Sequence, residues 1–278
     1  MFRIRFHGRG GQGMKTASRV LGTAFFREGF VVQDAPRYGA ERRGAPVFAY
    51  VRADRRPIDE RGDIRHPDLV VVADDTLVGV PAAGVLDGLD QHSVLLIDTA
   101  ETADTWRARL NFPGPLVALP RPGSGSAEEF RYIGAACTGA AARLVGVVSR
   151  DNLIAAVAAE YAGFGPAAAE KNRVIALAAY DAVAPEAGRA AERAGLPPST
   201  TPEWIELPRD SGDVAAPAIH AALTSVEVRT GLWRSLKPVI DYDRCRRCWW
   251  VCSTFCPDNA IAVVEGKPVI DYDHCKGC

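Results

Sequence analysis

The feature that most constrains this chain is a duplicated segment that carries four of its cysteines. Residues 237–248 read KPVIDYDRCRRC and residues 267–278 read KPVIDYDHCKGC, so nine of twelve positions are identical at a spacing of 30 residues. Such a repeat indicates that one structural unit has been duplicated, and the cysteines stand in register in both copies. We therefore expect a small domain of two similar halves, with one metal centre in each half.

Two further cysteines extend the first copy into a ligand pattern. Residues 245–257 read C-x2-C-x3-C-x3-C-P. Bacterial ferredoxins use C-x2-C-x2-C-x3-C-P, in which three thiolates bind one 4Fe-4S cluster and the fourth reaches the other cluster. Soft thiolate sulfur suits iron in such clusters. The candidate ligands of the first cluster are Cys245, Cys248 and Cys252, and those of the second are Cys256, Cys275 and Cys278.

The pattern departs from that of the ferredoxins in two places. One extra residue lies between Cys248 and Cys252, so either this WWV loop bulges or one cysteine is not a ligand. The second half stops at Cys278, so we expect an incomplete ferredoxin-like α+β domain whose native chain continues for roughly 20 to 30 residues and holds two clusters. A zinc ribbon on the paired C-x2-C cysteines and a set of disulfides are the alternatives. Zinc leaves Cys252 and Cys256 without a role, and a reducing compartment disfavours disulfides.

The first part of the chain alternates strand and helix patterns. Short apolar runs at 2–6, 30–33, 46–51, 68–74, 93–98 and 115–120 predict strands, and helical periodicity is found at 14–27, 127–148, 150–161 and 167–183. Runs that are apolar on both faces suit a parallel sheet covered by helices on each side. The expected fold class is α/β, a doubly wound, mostly parallel, Rossmann-like sheet.

Composition and charge exclude several classes of function. The formal net charge is only -1, so the chain has no global field that would hold nucleic acid or an anionic membrane. No apolar run approaches the roughly 18 to 20 residues of a membrane span, and the N-terminus lacks a secretory signal, so we expect a cytoplasmic protein. Prolines become frequent past residue 185, which predicts an α/β domain over 1–185, a linker over 186–235 and a cluster domain over 236–278.

A glycine-rich turn follows the first predicted strand. Its pattern, Gly8-x-Gly10-x-x-Gly13, lies between a strand and a helix, as in dinucleotide-binding sites, but Asp34 is poorly placed for a ribose. The turn is therefore either a nicotinamide site, a structural turn or another phosphate site. Arginines in the loop 38–46 either present guanidinium groups to a phosphate or carboxylate, or belong to a solvated turn. The candidate cofactor-binding residues are Gly8, Gly10, Gly11, Gln12, Gly13, Arg42 and Arg43.

Two other reactive side chains are expected to have structural roles. His7 precedes the glycine turn and is expected to be a satisfied strand residue. Cys137 lies on an alanine-rich helix and is expected to be a small buried side chain. No nucleophile elbow, Walker A run or HExxH motif is present in the sequence.

Four segments together resemble one known family. IRFHGRGGQG at 4–13, YGAERRGAPV at 38–47, PDLVVVAD at 67–74 and EKNRVIALAAYD at 170–181 are similar to the gamma subunit of the pyruvate and 2-oxoacid:ferredoxin oxidoreductases. The repeat with CWWVCSTFCPDNAI at 248–261 resembles the ferredoxin-type delta subunit of the same enzymes. The resemblance implies a gamma subunit fused to a delta subunit, with two 4Fe-4S clusters in the full-length chain.

This resemblance also implies a reaction and its partners. A 2-oxoacid, with pyruvate as the commonest choice, would be oxidatively decarboxylated on thiamine diphosphate and magnesium held by alpha and beta subunits. The acyl group would pass to coenzyme A, and the electrons would pass through this chain to soluble ferredoxin. The glycine turn with Arg42 and Arg43 would then lie near the active site or contact coenzyme A phosphates. The alternatives are a nicotinamide-dependent oxidoreductase with a ferredoxin module and a zinc-stabilised assembly scaffold.

Overall fold

The chain is described from a computed structural model that covers residues 1–37, 45–120, 131–193 and 229–278. It divides into two compact units. The first comprises Met1–Tyr38 with Pro46–Thr201, and the second comprises Gly39–Ala45 with Pro202–Cys278.

A six-stranded sheet forms the centre of the first unit, in the order β2-β3-β1-β4-β5-β6. The strands are β1 (Phe2–Arg9), β2 (Val31–Arg37), β3 (Pro46–Asp54), β4 (Leu69–Val72), β5 (Val94–Thr99) and β6 (Leu116–Pro120). Strands β1, β4, β5 and β6 pair in parallel, whereas β3 is antiparallel to both of its neighbours. Fewer than a dozen residues join β2 to β3, too few for a parallel crossover. The expected α/β, mostly parallel sheet is confirmed, with β3 as its one reversed strand.

The continuous apolar runs of the inner strands are explained by two separate cores. Alternate residues of β4 face opposite sides of the sheet. Leu69 and Val71 belong to the larger core, and Val70 and Val72 belong to the smaller one. Because both faces of this strand are covered, none of its residues needs to be polar.

Four of the five described helices of the first unit lie close to their predicted positions, and the short helix Ala103–Arg109 was not predicted. They are α1 (Met14–Arg27), α2 (Ala103–Arg109), α3 (Ile133–Val145), α4 (Arg150–Tyr161) and α5 (Pro166–Ala182). The bounds of α1 and α4 agree with the sequence prediction. Part of the run 127–148 lies outside the described residues, and its described helix is shorter than predicted. Ser149 caps α4 by accepting a hydrogen bond of 3.3 Å from the backbone N–H of Asn152.

Short 3-10 turns and ion pairs hold residues at both ends of the predicted linker. The described residues form 3-10 turns at Asp75–Leu77, Pro81–Ala83, Ala162–Phe164, Ala184–Glu186 and Thr230–Trp233. Arg193 forms ion pairs with Asp68 and, at 2.7 Å, with Asp90. Trp233 is buried in the second unit. The intervening residues 194–228 lie outside the described part of the chain, so the linker stays a prediction.

The second unit contains a hairpin and one short helix in its described part. These are α6 (Val251–Thr254), β7 (Ile261–Val264) and β8 (Lys267–Ile270), with β7 and β8 antiparallel. Glu265 and Gly266 form the two-residue turn and both have positive φ, 48° and 69°. This is the backbone that a tight hairpin connection requires.

Candidate functional site

The glycine turn connects the end of β1 to the start of α1. Gly11 and Gly13 have φ of 98° and 75°, a conformation that glycine adopts without steric cost. Both glycines are exposed. Gly8 is needed for a different reason, since a Cβ there would lie 2.6 Å from the Met14 side chain. The predicted strand, turn and helix are therefore present, with the turn backbone open on its outer side.

The two long side chains of the turn point inward and bind a carboxylate. Arg9 Nε lies 2.9 Å from Asp74 Oδ2, and Gln12 Nε2 donates to the same oxygen at 3.3 Å. A further Arg9 nitrogen donates to Thr76 Oγ1 at 2.9 Å, and Gln12 Oε1 accepts from the Arg9 backbone N–H at 2.7 Å. All three main members of this network, Arg9, Gln12 and Asp74, are buried. The guanidinium and amide of the turn are thus already bound within the protein.

Asp74 was not singled out by the sequence reasoning. It follows β4, which lies beside β1 in parallel, and the backbone N–H of Ala73 donates to the carbonyl of His7 at 2.8 Å. The carboxyl ends of β1 and β4 therefore meet where the strand order reverses, the usual ligand crevice of an open α/β sheet. The sequence signal that could have identified Asp74 is an acidic residue directly after the apolar run of a strand.

His7 is held as a neutral ring in the interior. Its Nδ1 lies 3.0 Å from the carbonyl oxygen of Ala83, and its ring packs edge-on against Phe48. Burial, aided by the nearby Arg5 charge, lowers the pKa of His7 to about 3. Its Nε2 is buried without a hydrogen-bond partner in the described part of the chain. The expectation of a satisfied strand residue therefore holds for one ring nitrogen only.

Asp34, the acid that a dinucleotide site would use to bind a ribose, is hydrogen-bonded to a serine of α1. Asp34 Oδ1 accepts a hydrogen bond of 2.7 Å from Ser18 Oγ on α1. Burial raises the pKa of Asp34, opposed by that hydrogen bond. The candidates Arg42 and Arg43 lie outside the described residues. The buried Cys137 lies in the larger core, as expected for a small apolar side chain.

The six clustered cysteines are all free thiols in the second unit. Cys275 is buried, Cys245 and Cys256 are partly buried, and Cys248, Cys252 and Cys278 are exposed. Across the described ranges, no three His, Cys, Asp or Glu side chains are grouped so that they could hold a metal ion. A 4Fe-4S cluster is bound differently, because each of its thiolates binds a separate iron. The assignment of these cysteines as ligands stays a prediction.

The two copies of the repeat make reciprocal contacts. Tyr242 Oη donates to the carbonyl of Pro268 at 3.0 Å, and Tyr272 Oη donates to the carbonyl of Pro238 at 2.8 Å. Each bond therefore runs from one copy to the other, between positions that correspond at the repeat spacing. Lys237 lies over the Tyr272 ring at 4.3 Å, and Lys267 lies over the Tyr242 ring at 5.9 Å. These pairs are what a module with an approximate twofold axis would show.

The loops between the paired cysteines also correspond in backbone conformation. Arg247 has φ of 50° and its equivalent Gly277 has φ of 73°. Trp249 and Trp250 have φ of 47° and 55°, an uncommon conformation for large side chains. This pair of left-handed residues lies where the loop has its extra residue, as the expected bulge would require. Trp249 is 93% exposed, so its side chain extends into solvent.

Cys256 is oriented by its own turn. Its Sγ accepts a hydrogen bond from the backbone N–H of Ala260 at 3.2 Å. Such N–H contacts stabilise a thiolate and tune the potential of a cluster bound to it. The donor set is thus chemically suited to iron-sulfur ligation: six free thiols, four of which flank the two corresponding left-handed loops, and one of which accepts an amide hydrogen bond.

Comparison with known proteins identifies relatives of the first unit. The profile of the pyruvate ferredoxin/flavodoxin oxidoreductase family matches residues 3–182. Pyruvate synthase subunit PorC of Methanothermobacter marburgensis is 37% identical over 182 residues, which cover 65% of this chain and 97% of that protein. The common gamma subunit of the pyruvate/ketoisovalerate oxidoreductases of Thermococcus kodakarensis is 36% identical over 185 residues, 65% of this chain and 96% of that protein.

A solved structure resembles the same region. The pyruvate oxidoreductase subunit PORC of Thermotoga maritima is similar with a TM-score of 0.53 and 30% identity, covering 65% of this chain and 95% of that chain. The family match at 3–182 ends before the cysteine repeat begins at 237. Among the described residues, no helix has the length and apolar character needed to cross a membrane.

Proposed function

The chain belongs to the pyruvate ferredoxin/flavodoxin oxidoreductase family, and we propose that it combines a gamma subunit with a ferredoxin-type module in one polypeptide. The observation that carries this proposal is the succession of a family-matched α/β unit and a cysteine-rich unit with reciprocal contacts between two repeat copies. The proposed boundaries are an α/β domain over 1–185, a linker over 186–235 and an iron-sulfur domain over 236–278. Cytoplasmic location is part of the proposal, because free thiols of this density need a reducing compartment.

The proposed complex is a 2-oxoacid:ferredoxin oxidoreductase of the pyruvate synthase type. Alpha and beta partner subunits would hold thiamine diphosphate and magnesium, where a 2-oxoacid, most simply pyruvate, is decarboxylated and its acyl group is passed to coenzyme A. This chain contributes a relay that hands electrons singly to soluble ferredoxin. The names of its relatives support pyruvate as substrate.

The second unit supplies the ligands of the relay. Cys245, Cys248 and Cys252 would hold one 4Fe-4S cluster, and Cys256, Cys275 and Cys278 would contribute to a second. Such clusters supply one-electron transfer at a potential set by sulfur hydrogen bonds and burial. The residues of this chain position the thiolates: the Trp249 and Trp250 bulge spans the extra residue, and the Ala260 N–H orients Cys256.

The glycine turn is proposed to lie at the interface with the catalytic subunits and to contact coenzyme A phosphates. Its exposed backbone at Gly11 and Gly13 supports this role, since amides at a helix N-terminus favour anions. The Gln12 side chain is buried against Arg9 and Asp74 and so supports the turn from inside, while Gly8 and Gly10 remain part of the proposed site. Arg42 and Arg43 are proposed as further phosphate contacts.

A nicotinamide site at the same turn is less well supported. Asp34, the acid that would bind a ribose in such a site, is hydrogen-bonded to Ser18 instead. A zinc-stabilised scaffold is the other alternative, and it would use only four of the six thiols.

The test is to purify the chain without oxygen together with its alpha and beta partners. We expect coenzyme A-dependent reduction of ferredoxin by a 2-oxoacid, bound iron and sulfide, and no reduction of nicotinamide. Cys245→Ala should lose iron and ferredoxin reduction, whereas the matched Cys137→Ala, which removes the cysteine outside the cluster of six, should keep both. A colourless wild-type chain holding one zinc, or nicotinamide-dependent turnover without a 2-oxoacid, would refute the proposal.

A further inference from the structure

A buried ion pair joins the two halves of the second unit. Lys276 Nζ lies 2.8 Å from Asp258 Oδ1, and the two side chains are only 8% and 7% exposed. Lys276 lies between Cys275 and Cys278, and Asp258 follows the turn of Cys256. A lysine normally extends its ammonium group into water, so its burial on a carboxylate in so small a unit calls for a reason.

Backbone hydrogen bonds connect the same two segments. The backbone N–H of Asp271 donates to the carbonyl of Ala260 at 2.8 Å, and that of Cys275 donates to the carbonyl of Asp271 at 2.9 Å. Together with the Ala260 N–H to Cys256 Sγ bond, they form a continuous path from Cys256 to Cys275. The ion pair is a second connection, made by the residue that follows Cys275. The turn at Cys256 is therefore linked to residues 275–278 both by these hydrogen bonds and by the ion pair.

The repeat provides an internal comparison. Arg246 occupies the position equivalent to Lys276, between Cys245 and Cys248. Arg246 is exposed, and within the described part of the chain it makes no ion pair. The cation is therefore buried and bound in one copy only, the copy whose cysteines are expected to share a cluster with Cys256.

We propose that the Asp258–Lys276 ion pair is a positioning pair, which holds Cys256 beside Cys275 and Cys278 so that thiolates from both halves serve one 4Fe-4S cluster. The proposal rests on the proposed function, because it presupposes cluster binding by these cysteines. It assigns a role to two residues that are not themselves cluster ligands. It also has a specific consequence: loss of either charge should affect the thiols of Cys256, Cys275 and Cys278 and leave those of the first cluster unchanged.

The experiment uses the protein purified without oxygen with its partner subunits. Asp258→Asn and Lys276→Gln are compared with wild type, with the charge-exchanged double variant Asp258→Lys, Lys276→Asp, and with Arg246→Gln as the matched control. Iron release to a chelator is timed, and mass spectrometry then measures alkylation of each cysteine. Losing a hydrogen bond to a charged group predicts iron release about tenfold faster or more in the two single variants.

The alkylation pattern decides between the outcomes. We expect the single variants to expose Cys256, Cys275 and Cys278 together, while Cys245, Cys248 and Cys252 stay protected. Arg246→Gln should match wild type, and the charge-exchanged variant should recover protection at least in part. Uniform alkylation of all six cysteines, unchanged iron release in both single variants, or an equal effect of Arg246→Gln would overturn the positioning role. A wild-type protein without iron would instead refute the proposed function.

Discussion

The contact between α3 and α5 allows a sharp prediction about what supports the glycine turn. An added Cβ at Gly139 on α3 would lie 1.8 Å from the carbonyl oxygen of Ala176 on α5, far inside any permitted contact. The same helix packs behind the turn, because a Cβ at Gly134 would meet the carbonyl oxygens of Gln12 and Gly13 at 3.0 and 3.1 Å. Gly139→Ala must therefore separate the two helices by roughly 1 Å or more, against backbone that has no rotamer to change.

Overpacking of this kind costs about 1 to 3 kcal/mol, and the backbone contact places Gly139→Ala at the upper end. For a unit of this size that cost corresponds to a fall in Tm of about 6 to 12 °C, measured by circular dichroism. The control is Gly163→Ala, where a Cβ would meet nothing within 4 Å, so its Tm should stay within about 2 °C of wild type. Equal melting of the two variants would show that the helices are not in this close contact.

Three other predictions concern charges and hydrogen bonds. Asp74→Asn leaves a nearly buried arginine without its counter-charge and should lower the free energy of unfolding by about 3 kcal/mol, measured by urea denaturation. Tyr242→Phe and Tyr272→Phe should each cost about 0.5 to 1.5 kcal/mol by the same assay, and a loss confined to one of them would contradict the twofold relation. The pKa of His7 is about 3 in the folded chain against 6.5 ordinarily, so the unfolded chain binds the proton first as the pH falls. Stability should therefore decline by up to about 1.4 kcal/mol per pH unit below pH 6.5, and His7→Gln should flatten this slope while exposed His66→Gln should not.

The main elements of the first unit were predictable because each rests on a local pattern. The bounds of α1 and α4 follow from helical periodicity, the apolar run 68–74 contains β4, and the run 93–98 covers all of β5 except Thr99. The reversed direction of β3 was not predicted, although the short connection before it carried that information. Direction depends on which neighbour a strand pairs with, and apolar alternation does not encode this choice.

The polar contacts were predictable only where the sequence repeats. The repeat indicated two equivalent halves, and the reciprocal bonds of Tyr242 and Tyr272 agree with this expectation. The Arg9–Asp74 pair was missed because its partners are far apart in sequence and meet only through the parallel pairing of β1 and β4.

The Arg9–Asp74 pair explains how a glycine turn of nucleotide-binding form can serve another purpose. In a dinucleotide site the backbone amides of the turn and the helix N-terminus receive a diphosphate. Here Asp74 takes both long side chains of the turn, and Arg9 neutralises its charge within 2.9 Å. The outer side of the turn then carries only the exposed backbone of Gly11 and Gly13 and the dipole of α1. Backbone amides of this kind favour an anion, as the proposed contact with a coenzyme A phosphate at the edge of a partner's active site requires.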